Sequence, residues 1–486
     1  MLNADSPGHY LSMETPASPE SLLRAQRAAF IAEGEVTARV RRDRLERLID
    51  ALLTHQPQLV EAAASDFGQR PAAITRFMDV LPAVAGLRLA RGQLGRWMRA
   101  RGASMALPAG APGARGETRS QPLGVVGVIS PWNFPIALSL GPLAGILAAG
   151  NRAMLKPSEL TPRTSALLQQ MIASRFEARE LTVVTGDATL SASFARLAFD
   201  HLLFTGSAAV GRQVMRAAAE HLVPVTLELG GKCPVIIGRS AKLARAVDRI
   251  LLVKFANNGQ MCVAPDYVWL PEESLDKFVS LARAWVARAY PGLPDNPDST
   301  HIISQRHTAR LHELLTDAHA RGAQIIPLAG SATPAIGTSG TVMPALVLGA
   351  TPEMRIMREE IFGPLLPLLG YRLLEEPLNA INAAPRPLAL YYFGHDGAEE
   401  RSVLAHTHSG GVTVNDVGMH FLAEELPFGG VGASGMGAYH GEQGFHRFSH
   451  ARAVFHQSRL DVAGWAGLRP PYGRRLRWVL RWFLGK

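Results

Sequence analysis

The sequence predicts an α/β protein with two domains, each built on a parallel sheet. Three observations carry this. The chain has 486 residues, enough for two or three domains of ordinary size. Between residues 125 and 229 short apolar runs alternate with helical stretches, and after residue 234 the alternation resumes. Repeated βα units imply a parallel sheet covered by helices, because parallel neighbours need a long crossover.

Taken in order, residues 1–18 are expected to be disordered, with Pro7, Pro16 and little periodic apolarity. From 21 to 63 the apolar spacing is helical, with Leu45, Leu48, Ile49 and Leu52 in register, and a second helical stretch covers 78–98. Residues 102–119 hold several Gly and Pro and read as a connector or exposed ribbon. First-domain strands are expected at 125–129, 152–156, 181–184, 201–204 and 224–229, with helices at 137–149, 161–174, 191–198 and 208–221. Second-domain strands are expected at 235–237, 268–270, 325–327 and 388–392, with helices at 241–255, 273–290 and 306–321. The apolar run 136–150 is interrupted by Gly141, Pro142 and Gly145. It is too short to span a bilayer and reads as a buried helix. The expected layout is 19–101 with 122–229 as the first domain and 230–434 as the second. Residues 102–121 and 451–465 would bridge or oligomerise, and 466–486 form a basic amphipathic tail.

A chain 47% hydrophobic and 19% charged is globular in composition. Two cysteines give no disulfide framework, and the first twenty residues hold Asp5 and Glu14 without an apolar core segment. The expectation is therefore a cytoplasmic protein with no signal peptide. The formal charge of +9 comes mostly from arginine. No nucleic-acid motif accompanies it, so the excess reads as a solvated surface, with no nucleic-acid partner expected.

Ligands of parallel sheets bind at the carboxyl ends of the strands, and four such ends carry polar residues. Pro131-Trp132-Asn133-Phe134-Pro135 holds an amide between two prolines, suited to an oxyanion or to satisfying its own turn. Lys156-Pro157-Ser158-Glu159 offers a pair that could straddle a ribose diol, or a solvated loop pair. Phe204-Thr205-Gly206-Ser207-Ala208-Ala209-Val210-Gly211 runs from strand through a small-residue turn into a helix, whose first N–H groups can hold a diphosphate. Leu227-Glu228-Leu229-Gly230-Gly231-Lys232 places a carboxylate beside the presumed cleft, as a base or a surface residue. Beyond them, Lys254-Phe255-Ala256-Asn257-Asn258-Gly259-Gln260-Met261-Cys262 begins as a helix and breaks at Asn-Asn-Gly. A thiol just past such a turn is a nucleophile or a small buried hydrophobe. Cys233 reads as packing, and no metal site is expected.

Together with Glu-Glu-Ile-Phe-Gly-Pro (359–364) and Pro-Phe-Gly-Gly-Val-Gly-Ala-Ser-Gly-Met-Gly (427–437), these segments resemble the aldehyde dehydrogenase superfamily, over about residues 20 to 458. The tract 361–367, Arg386-Pro387-Leu388-Ala389-Leu390-Tyr391 and Met436-Gly437-Ala438-Tyr439-His440-Gly441 are similar to its class-3 branch. Asp66-Phe67-Gly68-Gln69-Arg70, with Trp97-Met98, is similar to that branch's bacterial coniferyl aldehyde dehydrogenase subgroup.

The resemblance implies two Rossmann-like domains with a small β oligomerisation ribbon, and a homodimer. It implies Cys262 as nucleophile, Glu228 as general base and Asn133 as oxyanion donor beside the Cys262 N–H. It further implies Lys156 and Glu159 on the adenosine ribose and Gly206 and Ser207 at the diphosphate. Glu360 and Phe362 would hold the nicotinamide ribose and ring, and Trp132, Gly211 and Leu229 complete the expected cofactor set. The cofactor is expected to be NAD, since Glu159 would repel the 2′-phosphate of NADP, with NADP as the alternative because a Glu can swing aside. The substrate is expected to be an aromatic enal such as coniferyl aldehyde, with medium-chain aliphatic aldehydes as the alternative. Position 233 is Cys where the superfamily often has Ser. Positions 208–209 are Ala-Ala where Thr or Glu is common, which loosens any diphosphate contact made there.

Two other classes remain open on residues alone: a cysteine hydrolase or acyltransferase without nicotinamide, which needs a positioned His, and a non-enzymatic binding protein. The tail places Leu476, Val479, Leu480 and Phe483 on one helical face and Arg474, Arg477 and Arg481 opposite. That pattern suits an anionic membrane interface or a packed helix.

Overall fold

The computed structural model describes residues 18–105, 113–329 and 342–485. The expected disorder at 1–18 lies, apart from Ser18, outside the described residues, as does part of the 102–119 connector. The helical stretch expected over 21–63 is two helices, Pro19–Glu33 and Ala38–Phe67. Gly34 at φ +66 ends the first, and Thr37 caps the second by accepting the Val40 N–H. The next stretch starts earlier than its periodicity suggests. Ala72–Thr75 passes through a π turn, Arg76–Val80, into Leu81–Trp97.

Three sheets follow. The first has six strands in the order Gly435–Met436, Val225–Leu229, His201–Gly206, Val125–Ile129, Arg152–Lys156, Leu181–Val183. Its five βα strands are parallel and their carboxyl ends share one edge. Gly435–Met436 joins them antiparallel from the far end of the sequence, pairing Gly435 with Glu228. A Cβ at Gly435 would lie 2.1 Å from the Leu227 carbonyl oxygen, so only glycine permits this return.

The second sheet has seven strands: Gln324–Pro327, Ala345–Leu348, Leu365–Tyr371, Tyr267–Pro271, Pro234–Ile237, Ala389–Phe393, Gly411–Val414. It is parallel except for the Gln324–Pro327 edge. Three of these strands escaped the sequence pattern. Leu365–Tyr371 contains Pro367 and Gly370, and Gly411–Val414 is short and half-buried. The third sheet is an antiparallel ribbon, Arg101–Ala103, Arg115–Pro122 and Ser449–His456, whose last strand leaves an eight-residue edge.

The apolar run at 136–150 is the helix Ala137–Ala148, buried on every side apart from Gly141. Its leucines join one core with Val235, Ile237 and Val268 of the second sheet, so the two sheets share a core. The terminal helix Arg474–Leu484 has no buried residue.

Candidate active site

The helix Leu243–Phe255 ends where its pattern breaks. Asn257, Asn258 and Gly259 adopt φ of +39, +53 and +76, a left-handed run that Asn and Gly tolerate best. A Cβ at Gly259 would sit 2.2 Å from the Gly363 carbonyl oxygen, so this turn needs glycine and packs on the loop carrying Phe362. Gln260 locks it: its Nε2 donates to the Asn257 and His301 carbonyls, both at 3.0 Å, and its Oε1 accepts the Ile303 N–H. Asn133 arrives from the first sheet, donating from Nδ2 to the Gln260 carbonyl at 3.2 Å and accepting Asn257 Nδ2 on its own carbonyl at 3.2 Å. One Asn133 amide hydrogen is thus used to fix the side chain beside the cysteine turn.

Cys262 emerges half-exposed at the wall of an apolar cavity of about 240 Å³, which Glu228, Phe134, Tyr439, Phe428 and Val417 also line. Burial, then the charges of Glu360 and Glu228, push its thiol up to about 12, against the pull of the Cys262 and Val263 N–H groups. Those two N–H groups are donors for negative charge at this spot. Glu228 is 3% exposed and neither carboxylate oxygen has a partner; burial raises it well above the ordinary carboxylate range. Burial thus disfavours the charged form of both groups. Cys233, expected as packing, does more: wholly buried, it donates its S–H to the Cys262 carbonyl at 3.3 Å.

A groove of about 960 Å³ runs along the carboxyl edge of the first sheet, lined by Trp132, Lys156, Glu159, Gly206 and Ser207. Ser207 caps the helix Ala208–Ala219, which leaves that helix's N-terminus facing the groove. Lys156 does not reach out as the sequence suggested. It is 1% exposed, its Nζ donates to the Pro157 carbonyl at 2.8 Å, and Glu159 stands 3.9 Å away at the surface. Gly211 faces Leu229 rather than the groove, where a Cβ would meet the leucine at 2.6 Å, and Leu229 itself lines the apolar cavity.

Trp132 joins the two domains, its ring 5.4 Å from Phe362 and 5.0 Å from His307. Phe362 holds φ +49, which turns its loop toward that contact. Glu360 lies against Gly230, with Oε1 buried and unpartnered; burial and the Asp266 charge push it up to about 8.

The far wall of the groove was not anticipated. Arg306, His307 and Arg310 belong to the helix Gln305–Ala320, and Arg310 donates to the Glu360 and Ile361 carbonyls. In the sequence they are ordinary polar positions of an amphipathic helix. A strand-and-helix groove with a capped helix N-terminus fits a dinucleotide, and the cavity that shares Thr205 with it, lined by a thiol and a buried carboxyl, fits a reacting carbonyl.

The aldehyde dehydrogenase family profile matches residues 10–454. A coniferyl aldehyde dehydrogenase from a Pseudomonas species is 50% identical over 462 residues, 95% of each chain. A probable coniferyl aldehyde dehydrogenase from Caulobacter vibrioides is 48% identical over 459 residues, 94% of each. Among solved structures, the substrate-bound AldH of Staphylococcus aureus superposes with a TM-score of 0.88 at 34% identity, covering 96% of this chain and 99% of that one.

Proposed function

Because the chain belongs to the aldehyde dehydrogenase family, we propose that the cavity at Cys262 is where an aldehyde is oxidised to a carboxylic acid through a covalent adduct on that thiol. The enzyme is an NAD(P)-dependent aldehyde dehydrogenase. The observation that carries the site assignment is the shared cavity: Cys262 and Glu228 line one apolar space, and Thr205 lines both it and the groove. NAD(P) would be held in that groove by Trp132, Glu159, Gly206 and Ser207, with Glu360 and Phe362 nearby, and would supply the hydride acceptor.

The chain's own residues do the rest. Entry of water and substrate hydrates the site, so that the Cys262 and Glu228 protons pass to solvent, and the thiolate adds to the aldehyde carbon. The oxyanion so formed is held by the Asn133 amide and the Cys262 N–H. Loss of hydride leaves a thioester on Cys262. Glu228 then takes a proton from water, which attacks the thioester and releases the acid.

Glu159, 43% exposed on the groove, disfavours a 2′-phosphate, so NAD is the preferred cofactor. The relatives at about half identity point to an aromatic enal of the coniferyl type. The carbon lining of the cavity also favours medium-chain aliphatic aldehydes, which form the second reading. The free Ser449–His456 edge supports a homodimer, since an unpaired strand of that length templates pairing. The basic helix Arg474–Leu484, none of whose residues is buried, supports peripheral contact with anionic lipid. No helix among the described residues is long and apolar enough to cross a membrane; a cytoplasmic enzyme is the reading we favour.

The test is NADH formation with coniferyl aldehyde, benzaldehyde, octanal and succinic semialdehyde. It is run with NAD and with NADP, on wild type and Cys262→Ala. Turnover lost in the variant and highest with coniferyl aldehyde and NAD supports the reading. Faster octanal turnover selects the aliphatic one. Turnover that survives in Cys262→Ala refutes the covalent route.

A further inference from the structure

The segment Asp66-Phe67-Gly68-Gln69-Arg70 lines neither the groove nor the cavity, but the Phe67 ring lies 6.2 Å from that of Trp132 and its polar side chains tie together the segments around them. Asp66 accepts the Arg163 and Thr164 N–H groups at 3.0 and 2.8 Å and the Thr164 hydroxyl at 2.7 Å, capping the helix that follows the 156–159 loop. Gln69 donates to the Asn296 and Ser299 carbonyls at 2.9 and 2.7 Å, and its carbonyl accepts the His301 N–H. His301 in turn is a partner of Gln260.

Arg70 is the unusual member. Its side chain and that of Asp79 are both 0% exposed, with Nη2 and Oδ2 3.4 Å apart. The Arg70 Nε, Nη1 and Nη2 have no hydrogen-bond partner. Its guanidinium carbon lies 4.7 Å from the Phe67 ring and 5.1 Å from the Phe134 ring. Asp79, aimed by the π turn Arg76–Val80, accepts the Ile136 and Ala137 N–H groups at 3.0 and 2.6 Å. Those are the first amides after Pro131-Trp132-Asn133-Phe134-Pro135.

A helix cap needs no arginine, because a neutral Ser or Asn serves as well. A buried, poorly hydrogen-bonded ion pair is weak evidence of stabilisation, since its desolvation cost can exceed its attraction. What Arg70 adds is a flat cation stacked on the residue next to Asn133. We propose that Arg70 and Asp79 are positioning residues for Asn133, gripping its loop from both sides so that the amide is aimed at the oxyanion. Asp79 holds the backbone just after the loop, and Arg70 holds Phe134 within it. This deepens the function proposed above and rests on the oxyanion role given there to Asn133.

The test is a coupling measurement. Arg70→Met with Asp79→Asn keeps the volume and the capping acceptor and leaves no lone buried charge. Its kcat and both KM values are measured alone and on top of Asn133→Ala. The expected result is a kcat loss of about 10- to 100-fold in the wild-type background, with KM within about threefold, and less than about threefold further loss in the Asn133→Ala background. The same loss in both backgrounds, or no loss in either, overturns the proposal. Should the double variant fail to fold by circular dichroism, Arg70→Lys keeps the charge and removes the plane. It is read by the same criterion. If Asn133→Ala alone leaves kcat unchanged, the oxyanion reading itself fails and the positioning proposal falls with it, a result distinct from uniform loss.

Discussion

Glu228→Gln separates a carboxyl held neutral by burial from one that is charged at rest. Glu228 is 3% exposed with both oxygens unpartnered, and burial raises it well above the ordinary carboxylate range. The folded protein therefore keeps a proton that the unfolded chain has lost above about pH 4.5. Stability must then fall as pH rises, by about 1.4 kcal/mol per unit for this one group, as long as pH stays below its folded value. Glutamine carries no such proton, so the variant should gain on wild type at about that rate until pH reaches the folded value of Glu228. For 486 residues the unfolding entropy is about 1 kcal/mol/K, so the gain appears as roughly 1.4 °C per pH unit. The assay is a pair of thermal melts at pH 5, 6 and 7 at one scan rate, read only as variant minus wild type. A constant offset between the two proteins carries no weight, but a flat difference across pH would mean that Glu228 ionises normally in the fold. The account of the resting site would then be wrong.

Three other outcomes follow from the geometry. Asn133→Ala should lower turnover by about two to three orders of magnitude, the usual worth of one oxyanion donor, and near-normal kcat would remove it from the mechanism. Because burial pushes the Cys262 thiol up to about 12, alkylation by iodoacetamide in the absence of cofactor should keep rising about tenfold per pH unit from 7 to 10. A plateau below pH 9 would contradict this. The full chain should pellet with anionic lipid vesicles, and a chain ending at Leu468 should not, because Arg474–Leu484 exposes Trp478, Trp482 and Phe483 among its arginines. Equal pelleting would end the membrane proposal.

Much of the fold was readable because it is local. The first-sheet strands and the buried helix after residue 136 each announce themselves within a dozen residues. The cysteine turn was equally plain, since a helix breaking at Asn257-Asn258-Gly259 is a matter of backbone preference. What stayed hidden depends on contacts far apart in sequence. Gly435–Met436 pairs with Leu227 and Glu228 across some 200 residues, and nothing around it has strand character. Arg306, His307 and Arg310 gain their place only because the second domain lays one helix across the groove. The retracted Lys156 amine shows the limit from the other side: its position at the strand end was foreseeable, but its turn toward the Pro157 carbonyl was not. Leu365–Tyr371 was lost to Pro367 and Gly370, residues that argue against a central strand until neighbours on both sides supply the register.

In the proposed route Cys262 carries the acyl group and Glu228 releases it. Removing a general base typically costs 100- to 10,000-fold, so Glu228→Gln mixed with aldehyde and NAD should form acyl-enzyme far faster than it hydrolyses it. Peptide mass spectrometry of the quenched mixture reads this directly. The acyl mass increment is expected on the peptide containing Cys262, close to one per chain, alongside a single burst of NADH. NADH formed at a steady rate with Cys262 unmodified would contradict it.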